Sequence, residues 1–265
     1  PMSCQTQRQP TEELEALYKS EGHFTLICGA DEAGRGPLCG PVVAAACILP
    51  EGIAIDGLND SKKLTAKRRE RLFDEIRSTA LTYCIAQASV EEINRFNILE
   101  ASLLAMRRAI DGLFPCPDAA LIDGNVDRDF PLPARAVIHG DAKVSCIAAA
   151  SVLAKVARDR MCLELDAKYP QYGIARHKGY GTAAHMAALR EYGPAPIYRR
   201  RFIRFLNPDV DDVDTAPSPE DIHSAHLPQS WRFPPEEKPS TSDRRTALPS
   251  WILDFKHGVP ENNHE

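Results

Sequence analysis

The chain has 265 residues, 43% of them apolar and 26% charged, which suits one sizeable α/β domain with an appendage. Its formal charge of −5 is unevenly spread: residues 206–265 hold five Lys/Arg against twelve Asp/Glu, a net of −7, leaving a mildly basic +2 on 1–205 that does not exclude a nucleic-acid partner. The longest apolar run, 42–49, is far shorter than the ~20 residues a membrane helix needs, which excludes a spanning helix and argues against a membrane partner.

The first residues lack the basic and apolar regions of a secretory signal, so a cytoplasmic location is expected. Residues 11–20 predict a short amphipathic helix opened by Thr11. Residues 24–30 predict a buried strand that ends at Asp31-Glu32, and 42–49 and 81–88 predict two more. The first two are expected to pair as a hairpin across the Gly-rich connection. Leu72, Phe73, Ile76 and Ala80 share one helical face. Ser89 and Glu92 form a capping-box pattern, and Asn97 with Glu100 resembles a second helix start. Short strands over 119–122 and 134–138 run into Asp123-Gly124 and Gly140-Asp141. The clearest helix covers about 145–167, with Ala149, Val152, Leu153, Val156 and Ala157 as its core stripe and Lys155, Arg158 and Asp159 largely off it. A Gly/Tyr-rich loop over 169–181 precedes a helix over 182–192.

Strands followed by alternating helices and strands give an α/β domain with a mixed sheet. The eight cysteines contain no C-x-x-C pair, and Cys28, Cys47, Cys84, Cys146 and Cys162 sit in apolar strand-like or helix-like runs, which favours small buried thiols over zinc or disulfides. Beyond Pro208 the composition changes: nine of the chain's 21 prolines fall in 206–265 among Ser, Asp and Glu, as in a disordered tail. Within it, Trp251-Ile252-Leu253-Asp254-Phe255 reads equally as a docking motif and as a sticky stretch folded back on the body.

Three acidic sites share one context, an apolar strand followed by acid and glycine: Asp31-Glu32, Asp123 and Asp141. Carboxylates at strand ends along one edge of a sheet can converge, and four of them together repel unless cations compensate. An all-oxygen set favours Mg2+ or Mn2+. Successive strand residues face opposite ways, so Asp31 and Glu32 can share a site only if the chain turns there, and Gly34 and Gly36 permit a turn. Taken alone, Asp123 beside Gly124 is better explained by a turn. Gly34-Arg35-Gly36 offers exposed backbone able to approach a ribose 2′-hydroxyl. Arg199, Arg200 and Arg201 are candidates for phosphate contact, with Arg200 alternatively pairing a core acid.

The run from Ala30 through Ala46, built on Asp31-Glu32-Ala33-Gly34-Arg35-Gly36 and Gly40-Pro41-Val42, resembles the opening motif of ribonuclease HII. Leu58-Asn59-Asp60-Ser61-Lys62-Lys63-Leu64, Ile122-Asp123-Gly124-Asn125, Gly140-Asp141, Ala148-Ala149-Ala150-Ser151 and His177-Lys178-Gly179-Tyr180-Gly181-Thr182 follow in the family's order. The resemblance covers roughly 24–205. It implies a ribonuclease H-like fold, a mixed five-stranded sheet flanked by helices with a helical C-terminal extension. Residues 1–23 then form an N-terminal extension and 206–265 an acidic Pro-rich tail.

It also implies roles. Asp31, Glu32, Asp123 and Asp141 match the catalytic, metal-binding carboxylates. Gly34, Arg35 and Gly36 match the loop that senses the 2′-hydroxyl, Tyr180 a tyrosine that stacks on the neighbouring deoxyribose, and Ser61, Lys62 and Lys63 a phosphate-contacting segment. On the residues alone, Tyr180 could equally pack within its loop, Lys62-Lys63 could be a solvated pair, and His177 is more often structural. The implied substrate is an RNA–DNA hybrid, or duplex DNA with embedded ribonucleotides, cut by a monomer using two Mg2+ or Mn2+ ions. The alternatives are a hybrid-binding protein without catalysis and a nuclease of the same fold with another substrate.

Overall fold

A computed structural model of the chain describes residues 10–59 and 61–206, without the Lys63 side chain. The acidic tail and the Trp251–Phe255 segment therefore lie outside the described residues. Helices α1 (Glu13–Gly22), α2 (Ala66–Thr79), α3 (Val90–Asp111), α4 (Ser145–Lys168), α5 (Ile174–His177) and α6 (Ala183–Tyr192) surround strands β1 (Ile27–Ala33), β2 (Val42–Ile48), β3 (Thr82–Ala88), β4 (Ala119–Asp123) and β5 (Ala134–Val137). The strands form one mixed sheet in the order β3-β2-β1-β4-β5. The β1–β2 hairpin and β3 are antiparallel, whereas β4 and β5 run parallel to β1.

Strand β2 shows why a near-continuous apolar run belongs in the middle of this sheet. Val43, Ala45 and Cys47 face Leu72, Phe73 and Ile76 of α2 and Val152, Leu153 and Val156 of α4. Val42, Ala44, Ala46 and Ile48 face Leu103, Leu104, Met106 and Ile110 of α3. Both faces are buried, so neither register of the period-2 pattern can be polar. The N-terminal turn of α4 lies directly on β1: a Cβ on Gly29 would stand 2.3 Å from the Ile147 nitrogen, so only glycine admits this approach. No helix among the described residues is long and apolar enough to cross a membrane.

The expected elements form, with three shifts. Thr11 does not cap α1; its backbone bridges Val144 instead, donating to Lys143 O (3.0 Å) and accepting from Ser145 N–H (3.2 Å). The helix begins later, at Glu13, and Tyr18 packs it onto Ile27 and Ile147. Strand β1 does not end before the acidic pair but runs through it to Ala33, because Asp31, Glu32 and Ala33 pair with Ala45, Ala44 and Val43 of β2. The segment 169–181 is not plain loop, since Pro170–Tyr172 forms a 3-10 turn and Ile174–His177 a helical turn. The start expected at Asn97 forms as a break inside α3, where its side-chain oxygen caps Leu99 N–H and Glu100 N–H. The capping box at the head of α3 forms as expected: Ser89 N–H donates to the Glu92 carboxylate, and Glu92 N–H donates to the Ser89 hydroxyl. Seven described cysteines are free thiols, all but Cys84 and Cys116 buried.

Candidate active site

Parallel pairing of β1 with β4 matches Ala30 to Ile122, so Asp31 and Asp123 fall at the same level of neighbouring strands. Beyond β5, the peptide N–H groups of Gly140 and Asp141 donate to Asp123 Oδ1 at 2.7 and 3.4 Å. Asp141 thus reaches the site from a 3-10 turn, Gly140–Ala142, rather than from the strand end. Asp31 is only 4% exposed, and burial pushes its carboxyl well above the usual range, with the charges of Glu32 and Asp123 adding to the rise. The Ser151 hydroxyl and the Glu32 N–H, 2.6 Å from Asp31 Oδ1, oppose that rise without cancelling it. Burial likewise raises Glu32, against the pull of Arg35.

The carboxylates lean on the protein's own cations. Glu32 Oε1 lies 3.4 Å from Arg35 Nη1 and Asp141 Oδ2 lies 3.6 Å from Lys62 Nζ. Among the described residues, no group of three or more His, Cys, Asp or Glu side chains is arranged so that it could hold a metal ion. The all-oxygen donors and the uncompensated charge on Asp31 still suit a hard divalent cation rather than zinc.

Asp31, Glu32 and Asp123 open into a cleft of about 360 Å³, which Gly34, Arg35 and Gly36 line from the side. Gly34 has φ 99°, so the turn expected at the acidic pair comes just after β1. The Tyr180 ring lies beside Gly36, whose added Cβ would sit 3.2 Å from Tyr180 Cε1, and is 48% exposed in the same cleft. Lys62 lines it too and is mostly exposed. Ser61 is buried, its hydroxyl 2.9 Å from that of Ser151, so it reaches the cleft from below.

His177 and His185 work inside the C-terminal extension. His177 accepts from Gly179 N–H at 3.2 Å and stacks on His185 at 4.1 Å. The buried His185 ring bonds Tyr180 O at 2.9 Å and the Tyr198 hydroxyl at 2.8 Å, which fixes the backbone that carries Tyr180.

Several cleft residues escape the sequence reading. Ser151 is a buried polar residue set between Ala150 and Val152 in the apolar face of α4, a signal visible in the sequence. Arg158, expected off the core stripe, is 2% exposed and reaches under the cleft to donate to Cys39 O at 2.9 Å. Arg199, a candidate for phosphate contact by sequence, is instead wholly buried beneath the Gly34–Pro41 loop; Arg200 is exposed, and its N–H bonds Asn94.

The model of the ribonuclease HII family matches residues 28–205. The chain belongs to the ribonuclease HII family. Similar members include ribonuclease HII 1 of Methylibium petroleiphilum, 59% identical over 180 residues, covering 68% of this chain and 91% of that one. The ribonuclease HII of Albidiferax ferrireducens is 61% identical over 177 residues, 67% of this chain and 86% of its own. Among solved structures, ribonuclease H2 of Pyrococcus horikoshii superposes with a TM-score of 0.58 at 29% identity, covering 69% of this chain and 98% of that one. The chain is a ribonuclease H enzyme built on a mixed five-stranded sheet.

Proposed function

We propose that this enzyme cuts the RNA strand of RNA–DNA hybrids and the 5′ side of ribonucleotides embedded in duplex DNA, leaving 5′-phosphate and 3′-hydroxyl ends. One observation carries the reading: acids suited to hydrolysis and a loop suited to reading the sugar line a single cleft. Asp31, Glu32, Asp123 and Asp141 would hold Mg2+ or Mn2+, which when bound as a pair supplies an activated water and charge stabilisation of the leaving oxygen. Low exposure around Asp31 strengthens every charge interaction made there.

The backbone of Gly34, Arg35 and Gly36 bonds the ribose 2′-hydroxyl, and the exposed Tyr180 ring stacks on the deoxyribose beyond the junction. Lys62 draws in a phosphate, moving from Asp141 to the substrate. Lys63 belongs to the same proposed phosphate segment. The chain is proposed to act as a monomer and in the cytoplasm.

Mapping the cleavage products of a DNA duplex that holds one ribonucleotide, with Mg2+, with Mn2+ and with chelator, tests the proposal. A single cut 5′ of the ribonucleotide, lost on chelation, is expected. A cut on its 3′ side, or equal cutting of an all-DNA duplex, would falsify it.

A further inference from the structure

Residues 34–41 connect β1 to β2 with no regular structure of their own, although they line the cleft at Gly34, Arg35, Gly36 and Pro37. A loop that must recognise one hydroxyl needs its backbone held in one conformation. The structure supplies the restraint from far along the chain. The guanidinium of Arg199 donates from Nε to Gly40 O (2.9 Å), from Nη1 to Arg35 O (2.9 Å) and Pro37 O (2.8 Å), and from Nη2 to Gly34 O (2.6 Å) and Pro41 O (3.2 Å). Those bonds engage all five donors a guanidinium possesses. The backbone around Arg199 reinforces them: its own N–H bonds Leu38 O at 2.9 Å, and Gly40 N–H bonds Ile197 O at 2.8 Å.

The direction of these bonds matters more than their number. In a trans peptide the C=O of one residue and the N–H of the next point opposite ways. Drawing the Gly34 and Arg35 carbonyls down onto Arg199 therefore turns the Arg35 and Gly36 N–H groups up, toward the cleft. Leu38 shows the same geometry, since the Pro37 carbonyl faces Arg199 while the Leu38 N–H points away to Gly179 O at 2.8 Å. That last bond ties the loop to the segment carrying Tyr180.

We infer that Arg199 is the positioning residue for sugar recognition, fixing the donors of Arg35 and Gly36 that the ribose hydroxyl meets. It touches neither substrate nor metal. The inference rests on the proposed sugar-reading role of this loop. A shorter cation cannot replace it, because a lysine offers three donors from one point where the loop presents five carbonyls around a plane.

The test measures affinity of the full chain for two duplexes differing only in one ribose 2′-hydroxyl, with Ca2+ in place of Mg2+ to hold off cleavage. Wild type, Arg199→Lys and Arg199→Gln are compared, each with its melting temperature. Arg199→Lys should lose about ten-fold of the preference for the ribonucleotide duplex, roughly the worth of one hydrogen bond, with affinity for the all-DNA duplex nearly unchanged. Arg199→Gln should lose more, and Lys should restore part of what Gln loses. A purely structural role would lower the melting temperatures and leave the preference intact, which overturns the inference even if Gln fails to fold, since Lys is read separately. A wild type without any preference would overturn the sugar-reading role of the loop and this inference with it.

Discussion

Asp31, a proposed metal ligand, illustrates how a buried acid works against the fold that carries it. It is buried beside two other carboxylates, and each of those facts raises its pKa. A carboxyl whose folded-state pKa lies above its unfolded value favours the folded state only while protonated. That stability is present below the unfolded pKa and is lost as pH rises through the folded value. Above the unfolded pKa and without metal, the buried Asp31 carboxyl therefore weakens the fold. Asp31→Asn keeps an oxygen for the Glu32 N–H bond and removes the charge. The metal-free variant should melt above wild type by a few degrees, about 1 kcal/mol or more, while cleavage falls by about a thousand-fold. Added Mg2+ should raise the wild-type melting temperature and leave the variant nearly unmoved. Calorimetry with and without the ion checks both, and a variant that melts lower without metal would show the charge to be stabilising.

At this scale the sequence exposes the acids and hides their support. Asp31, Glu32, Asp123 and Asp141 are visible because acid and glycine after an apolar run recur along the chain. Arg199 is not, because a basic triplet looks the same whether it faces phosphate or turns inward. What decides it is a set of carbonyls on a loop remote in sequence.

Among the elements, the period-2 and 3.6-residue patterns locate strands and helices well, since burial imposes both. They place ends poorly. The expectation that β1 stops before Asp31 follows from polarity alone, yet the ladder to β2 continues as long as that strand offers partners, here Ala45, Ala44 and Val43. Helix α3 poses the opposite case, for the capping signal at Asn97 locates a break inside one helical run. Asn97 sits at φ 73° and ψ 170°, a region suited to glycine, and its side chain caps the half that follows. Cap and strain are separable by substitution. Asn97→Ala loses the cap and keeps the strain, and should cost about 1–2 kcal/mol. Asn97→Gly loses the same cap but relieves the backbone, and should cost less. Urea unfolding of the two variants checks the order, and an Ala variant as stable as the Gly variant would deny that strain resides there.

For the whole molecule the question is how a chain of net charge −5 binds a polyanion. The distribution answers it. Of the cations lining the cleft, Lys155 is matched by Asp159 at 2.6 Å and the buried Arg158 is turned to Cys39 O, which leaves Arg35, Lys62 and Lys178 to meet phosphate. Attraction to phosphate is then a local property of the cleft, felt within a Debye length of about 10 Å, and any charge farther off than that is screened from it. Each phosphate neutralised releases counterions, so three cations imply that log affinity falls with log salt at a slope of roughly −3. Binding of a duplex measured from about 50 to 200 mM salt gives that slope. Lys62, 77% exposed, is the most accessible point at which to test it. Lys62→Ala should weaken binding to every sequence alike and make the slope shallower by about one. An unchanged slope would mean that Lys62 stays with Asp141 in the complex and that the phosphate is held elsewhere in the cleft.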